Sequence, residues 1–337
     1  MTKWSSVHGP GLLLAGGLAL VGSWLGGLVP VMGGSVLSLL LGLGLGQAWR
    51  RQTICQPGLR LASKQVMQYA VVCLGFGLPL GAVLATGRQV LPLLLVTVVA
   101  TLFVVSYLGK WLGVSRNQRL LIAVGTAICG GSAIAAAAPV LGSEEEDIAQ
   151  SLTVIVVFNL LAALLFPTIG LWLGLSSQSG EAFGIFAGTA VNDTSSVTAT
   201  ASSWDVLHQL GSQTLDKAVT VKLTRTLAIL PVTLFLSFLS KEKEQAAAPT
   251  FPSFILYFLL ASLLATIGQY LGLTPHILFV TKPLARFLIM VSMAAIGLLT
   301  DGKKVLTSAG RPVCLGFLGW GFLLCLTLFL QGLLGIG

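Results

Sequence analysis

This sequence predicts an all-α integral membrane protein with about eleven transmembrane helices, on three observations. Mean hydropathy is +0.93 over 337 residues. Apolar runs of spanning length recur from end to end, and a helix needs about 20 such residues to cross a hydrocarbon core of about 30 Å. Only 9% of residues are charged while 55% are hydrophobic. No polar stretch is long enough for a separate soluble domain, so residues 1–337 are expected to form a single transmembrane unit.

The first segment, 10–29, follows a short stretch with one Lys and no small-residue cleavage site. It is expected to be a retained helix, not a removed signal peptide. Segment 31–48 is short and Gly-rich. Segments 66–86, 91–112 and 150–174 are ordinary apolar runs. Segments 120–141 and 184–203 are rich in Gly, Ser and Thr, which is unusual for helices that face lipid. Segment 217–238 carries Lys222 and Arg225 inside an apolar run. Segments 253–271, 284–300 and 313–335 complete the set, and 284–300 has small residues at its middle.

Loop charges give the orientation. With the N-terminus in the cytoplasm, thirteen of nineteen Lys and Arg residues fall inside, among them Arg50, Arg51, Lys110 and Arg116. Arg88, Lys217, Lys282 and Arg286 fall outside. This asymmetry favours N-inside, C-outside and an odd number of spans. The acidic run Glu144-Glu145-Glu146-Asp147 is then a solvated outside loop. The expected location is the bacterial inner membrane, multi-pass.

The net charge of +8 does not indicate nucleic-acid binding, because the basic residues lie in short loops where they act as topology signals. Five cysteines form no CxxC pair and three histidines are far apart, so neither a disulfide framework nor a metal site is suggested. No cofactor is expected beyond a coupling ion, proton or sodium. Phosphate-loop, HExxH and GxSxG strings are absent, which argues against an ATP-driven pump and against a membrane-embedded enzyme.

Asp193 is the leading candidate site residue, because a carboxylate inside an apolar span costs roughly 2.5–3.5 kcal/mol and is functional by default. On a continuous helix, Thr189, Asp193, Ser196 and Thr200 share one face. Asp193 lies about 14 Å into its span and Arg225 about 12 Å into the next. The two are therefore placed to meet near the midplane, with Lys222 on the same face as Arg225. Gly130-Gly131 costs helix propensity of about 1 kcal/mol per Gly. A broken or closely crossed helix is expected there, its second half starting near Ser132 with free N–H groups that suit an anion. Gly125-Thr126-Ala127-Ile128 resembles Gly188-Thr189-Ala190-Val191, and Ser132 matches Ser195 at the same offset of 63 residues. Asp301, beside Lys303 and Lys304, is expected to be an interfacial charge.

Four strings then carry a family resemblance. They are residues 125–134 (Gly125 to Ile134), Gly188-Thr189-Ala190-Val191-Asn192-Asp193-Thr194, Lys222-Leu223-Thr224-Arg225 and Met293-Ala294-Ala295-Ile296-Gly297-Leu298. In this order they resemble the YeiH-like family of bacterial membrane proteins, filed as sulfate exporters. Asn192 stands where that family commonly has His. The resemblance implies kinship with the cation/proton antiporter and bile-acid symporter superfamily. It also implies two inverted five-helix repeats (about 31–174 and 184–335), an extra helix at 10–29, and discontinuous helices crossing at the midplane. The crossing members would be 120–141 and 284–300.

The leading functional expectation is a secondary transporter that moves a small anion, sulfate or organic, by alternating access. Asn192, Asp193, Thr194, Ser195, Ser196 and Thr189 would contact ion or substrate. Gly130, Gly131 and Ser132 would supply backbone N–H groups, and Lys222 and Arg225 would balance charge. The alternative is a cation/proton antiporter using Asn192-Asp193. Expected partners are the anionic substrate, the lipid bilayer and, for assembly, a second copy in a homodimer.

Overall fold

The computed structural model describes residues 2–28, 33–49, 53–239, 253–270, 274–300 and 310–335. Those residues are helical with no strand. Asp301, Lys303 and Lys304 lie outside them. The helices are α1 (Thr2–Leu28), α2 (Gly33–Trp49), α3 (Gln56–Leu61), α4 (Met67–Gly75), α5 (Leu80–Trp111), α6 (Arg116–Ala127), α7 (Gly131–Leu141) and α8 (Glu145–Trp172). They continue as α9 (Glu181–Ala190), α10 (Thr194–His208), α11 (Gln213–Thr226), α12 (Ile229–Leu239), α13 (Ser253–Tyr270), α14 (Thr274–Leu299) and α15 (Arg311–Leu334). A π-helical turn, Ala62–Val66, joins α3 to α4. Six of these stretches are long and apolar enough to cross a membrane.

Two expected spans instead turn back on themselves. In the first, α6 and α7 form a hairpin. Ser115, which caps α6 by accepting from the Gln118 N–H at 3.2 Å, also donates to the Asp147 carboxylate at 3.3 Å. Gln118 donates to Gln150 at 2.6 Å. The start of α8 therefore lies beside the start of α6. Since α7 ends four residues before α8 begins, both ends of the hairpin lie on one face of the molecule. Gly142, left-handed at φ +59°, closes α7.

In the second, α9 and α10 form a hairpin from the opposite face. Lys217 on α11 pairs with Glu181 at the start of α9 at 2.9 Å. Asp205 near the end of α10 accepts the Thr214 and Leu215 N–H groups of α11, each at 2.9 Å. Both ends of this hairpin thus lie at the start of α11. Trp204 stacks on Phe183 with ring centroids 4.0 Å apart and clamps α10 to α9. Between the faces runs α8, whose 28 residues span about 42 Å. It begins beside the first hairpin's ends, and near its far end Gly170 lies under Phe183 and Trp204.

Three expectations are corrected. Segments 120–141 and 184–203 are not crossings, because half-helices of 10 to 15 residues reach only about 15–22 Å, part of the hydrocarbon thickness. The acidic run at 144–147 lies on the same face as Ser115 and Arg116, not the opposite one. The segment paired with 120–141 as a discontinuous helix, 284–300, belongs to the unbroken α14. Its Gly297 instead lets α2 approach closely: a Cβ there would collide with the Leu39 carbonyl, and one on Gly42 with that of Ala294. Lipid-type residues cover the outside, with Leu95, Phe103 and Tyr107 exposed along α5. Trp111 and Trp172 end their helices fully displayed, as aromatic residues do at a membrane interface.

Candidate functional site

The two hairpin tips, Ile128-Cys129-Gly130 and Val191-Asn192-Asp193, meet inside the molecule. Gly130 has φ +69° and ψ −127°, a conformation that a Cβ would strain. A Cβ there would also stand 3.5 Å from the Asp193 Cβ and 3.1 Å from Ile155 of α8. The tips therefore touch where the first chain reversal needs glycine.

Each tip holds one helix C-terminus and one helix N-terminus. The last carbonyls of a helix lack intrahelical partners and carry its negative dipole end. Lys222 and Arg225 of α11 satisfy them at both tips. Lys222 donates from Nζ to the Ile128 carbonyl at 2.7 Å and to that of Val191 at 2.9 Å. Arg225 donates to the Ala127 carbonyl at 2.7 Å, to that of Thr126 at 3.1 Å, and to that of Thr189. Both side chains are sealed, at 0% and 1% exposure. Arg225 spends its fork on carbonyls, and no ion pair joins Asp193 to Lys222 or Arg225, so the expected meeting of Asp193 with Arg225 is replaced by a shared scaffold.

The bonded carbonyls come in matched pairs. Thr126 and Thr189, both bonded by Arg225, differ by 63 residues, as do Ile128 and Val191, both bonded by Lys222. The match extends to the following helices: a Cβ on Gly125 would meet Ile155, and one on Gly188 would meet Ala218, again 63 apart. The two similar strings in the sequence are thus equivalent tips entering from opposite faces.

Asp193 caps α10, accepting from the Ser195 N–H at 3.1 Å and from the Ser195 hydroxyl. Its own N–H donates to Asn159 Oδ1 at 3.1 Å. Asn192 is buried with Oδ1 unpartnered, and the Thr189 and Thr126 hydroxyls are buried without partners as well. Thr194 is half-buried beside Asp193, and Ser196 is buried one turn into α10. Opposite them, α7 starts at Gly131 with no side-chain cap. Ser132 is exposed, its hydroxyl 3.0 Å from Cys129 Sγ. The face expected from Thr189, Asp193, Ser196 and Thr200 does not exist as one helical stripe, because the break at 191–193 separates Thr189 from the rest. All the other expected site residues come together at the tips.

Asn159 was not singled out in the sequence. It lies halfway along α8, 6% exposed, in the run Phe158-Asn159-Leu160-Leu161. The only signal was one amide in an apolar stretch. Nor was Asp205 marked as the cap of α11.

Similarity to known proteins agrees with this membrane fold. The family model described as conserved hypothetical protein 698 matches residues 10–316. A UPF0324 membrane protein of Streptococcus pyogenes serotype M3 is 47% identical over 335 residues, covering 97% of each chain. One of Fusobacterium nucleatum is 42% identical over 342 residues, covering 97% of this chain and 98% of its own. One of Streptococcus pneumoniae is 44% identical over 336 residues, covering 98% of each. No solved structure matches the chain. A match along nearly the whole length places this chain in the family of conserved hypothetical protein 698, the UPF0324 membrane proteins, to which the YeiH-like strings pointed.

Proposed function

We propose that this protein is a secondary carrier that moves a small anion, sulfate or an organic anion, across the bacterial cell membrane by alternating access. The observation that carries the reading is the charge balance at the meeting tips. Two fully buried cations accompany one carboxylate, and the backbone carbonyls at the ends of α6 and α9 are already bonded to those cations. The helix dipoles at the tips cancel in number, two negative ends and two positive ends. The centre therefore favours an anion. Paired re-entrant hairpins with half-helix ends at mid-depth are also the backbone arrangement that membranes tolerate only around a protein-lined cavity.

Thr189, Asn192, Thr194, Ser195 and Ser196 supply polar groups around Asp193, and Gly130, Gly131 and Ser132 supply the open N-terminus of α7. A proton on Asp193 raises the positive charge of the centre, which is the route by which coupling to protons would act. Most described basic residues near a face, among them Arg60, Lys110, Arg116, Arg119 and Arg311, share the face of the first hairpin's ends, and this charge bias supports a cytoplasmic side for that face.

The test is flux in proteoliposomes. Uptake of labelled sulfate or of small carboxylates, at least tenfold reduced in Lys222→Met and Asp193→Asn, is the expected result. Sodium-driven proton movement with no anion flux would replace this reading by cation/proton antiport.

A further inference from the structure

Within the anion-carrier reading just given, on which this inference rests, the pseudo-repeat shows how an anion is held. At the tip of the second hairpin, the Asp193 carboxylate sits on the N-terminus of α10. Oδ2 accepts from the Ser195 N–H at 3.1 Å and from the Ser195 hydroxyl. The residue 63 positions earlier is Gly130, which has no side chain, so the equivalent place on α7 carries no carboxylate. The equivalents of the two Ser195 donors are the N–H and hydroxyl of Ser132. Among the described residues that hydroxyl meets Cys129 alone, through Sγ at 3.0 Å and the carbonyl at 3.3 Å.

A second, independent group faces the same place. Asn159 is more than nine-tenths buried. Its Oδ1 is committed to the Asp193 N–H at 3.1 Å, which orients the amide and turns Nδ2 the other way. Nδ2 then lies 3.5 Å from where a Gly130 Cβ would stand. Among the described residues it donates to nothing. Offset by 63, Asn159 corresponds to Lys222, the residue that bridges both tips from α11. The helix α7 points its positive dipole end at this spot.

We infer that the uncapped N-terminus of α7 is an oxyanion subsite, in which one oxygen of a sulfate or carboxylate takes the position on Ser132 that the Asp193 carboxylate takes on Ser195. Ser132 N–H, Ser132 Oγ and Asn159 Nδ2 are its donors. The substrate acts as the missing cap of the first hairpin; Gly130 puts no side chain there, and Ile155 and the Asp193 Cβ border the position, 3.1 and 3.5 Å from where a Gly130 Cβ would stand.

Thermal stabilisation of the full-length protein in detergent, titrated with sodium sulfate, sodium acetate and sodium chloride at matched ionic strength, tests this. Wild type is expected to respond to sulfate and acetate well before chloride. Ser132→Ala should weaken the oxyanion response at least fivefold. Asn159→Asp keeps the acceptor for the Asp193 N–H but replaces the Nδ2 donor by a negative oxygen, so it should abolish the response. Should that variant not fold, Asn159→Ser serves, with at least tenfold weaker binding expected. Equal responses of wild type and both variants would overturn the subsite while leaving the anion reading intact. Chloride acting as well as sulfate would overturn the oxyanion assignment. A wild type insensitive to every anion would overturn the carrier reading and the subsite with it.

Discussion

A buried Lys and a buried Arg three residues apart are costly unless each side-chain nitrogen finds an oxygen. Lys222 and Arg225 meet that condition with five carbonyls that the ends of α6 and α9 would otherwise leave unpaired. Lys222→Met should therefore destabilise the fold by about 1–3 kcal/mol for each of the two carbonyls it strands. Arg225→Lys should also be destabilising, because an ammonium group cannot reproduce a fork spread over both tips. Thermal unfolding followed by tryptophan fluorescence reads both, and a melting temperature equal to wild type in Lys222→Met would refute the bracing role. At this scale the sequence was informative about Asp193, Lys222, Arg225 and the break at 130–132, because charges and paired glycines in apolar runs are conspicuous. Asn159 was not, since a single amide in a long helix usually reads as a packing bond.

Among the elements, the hairpins were the hardest to see. Residues 116–141 have the length of one spanning helix, and Cys129-Gly130 signals a break without saying whether the chain continues or reverses. Charge counting gave no warning either: the loops that change sides, 142–144 and 173–180, contain no Lys or Arg. The polar ends of the second hairpin make its docking testable. Asp205→Ala removes the cap of α11 and should cost about 1–2 kcal/mol, measured as a lower melting temperature. Glu181 is held below its ordinary value of about 4.5 by hydrogen bonds from Gln89 and Lys217. A depressed acid stabilises the fold above its unfolded pKa, and that contribution disappears as pH falls through the folded one. The wild-type melting temperature should accordingly lose ground to Glu181→Gln below about pH 4.5, and parallel curves would refute the coupling.

At the scale of the molecule, two hairpins among the described residues that return to their own faces make a different map from eleven crossings. Single cysteines in a cysteine-free background separate the maps. Ser143→Cys should react with a membrane-impermeant thiol reagent from the same side as a cysteine at Gly113, and Ser176→Cys from the other. Eleven crossings require the reverse for both. The overall all-helical membrane class was legible because it follows from hydropathy. The pairing of 120–141 with 284–300 failed because Gly- and Ala-rich strings mark close packing as readily as a break, and in α14 they serve the contact with α2.

The correspondence over 63 residues has a consequence in terms of parity. The matching stretch is one hairpin plus one long helical element, α8 in the first and α11 with α12 in the second. A hairpin returns to its starting face and contributes no crossing; the long element contributes one. The unit therefore has an odd count, and a second stretch of the same form that follows it enters from the opposite face. An even count would have brought both hairpins in from the same side, with their tips side by side and no shared centre for Lys222 and Arg225 to hold.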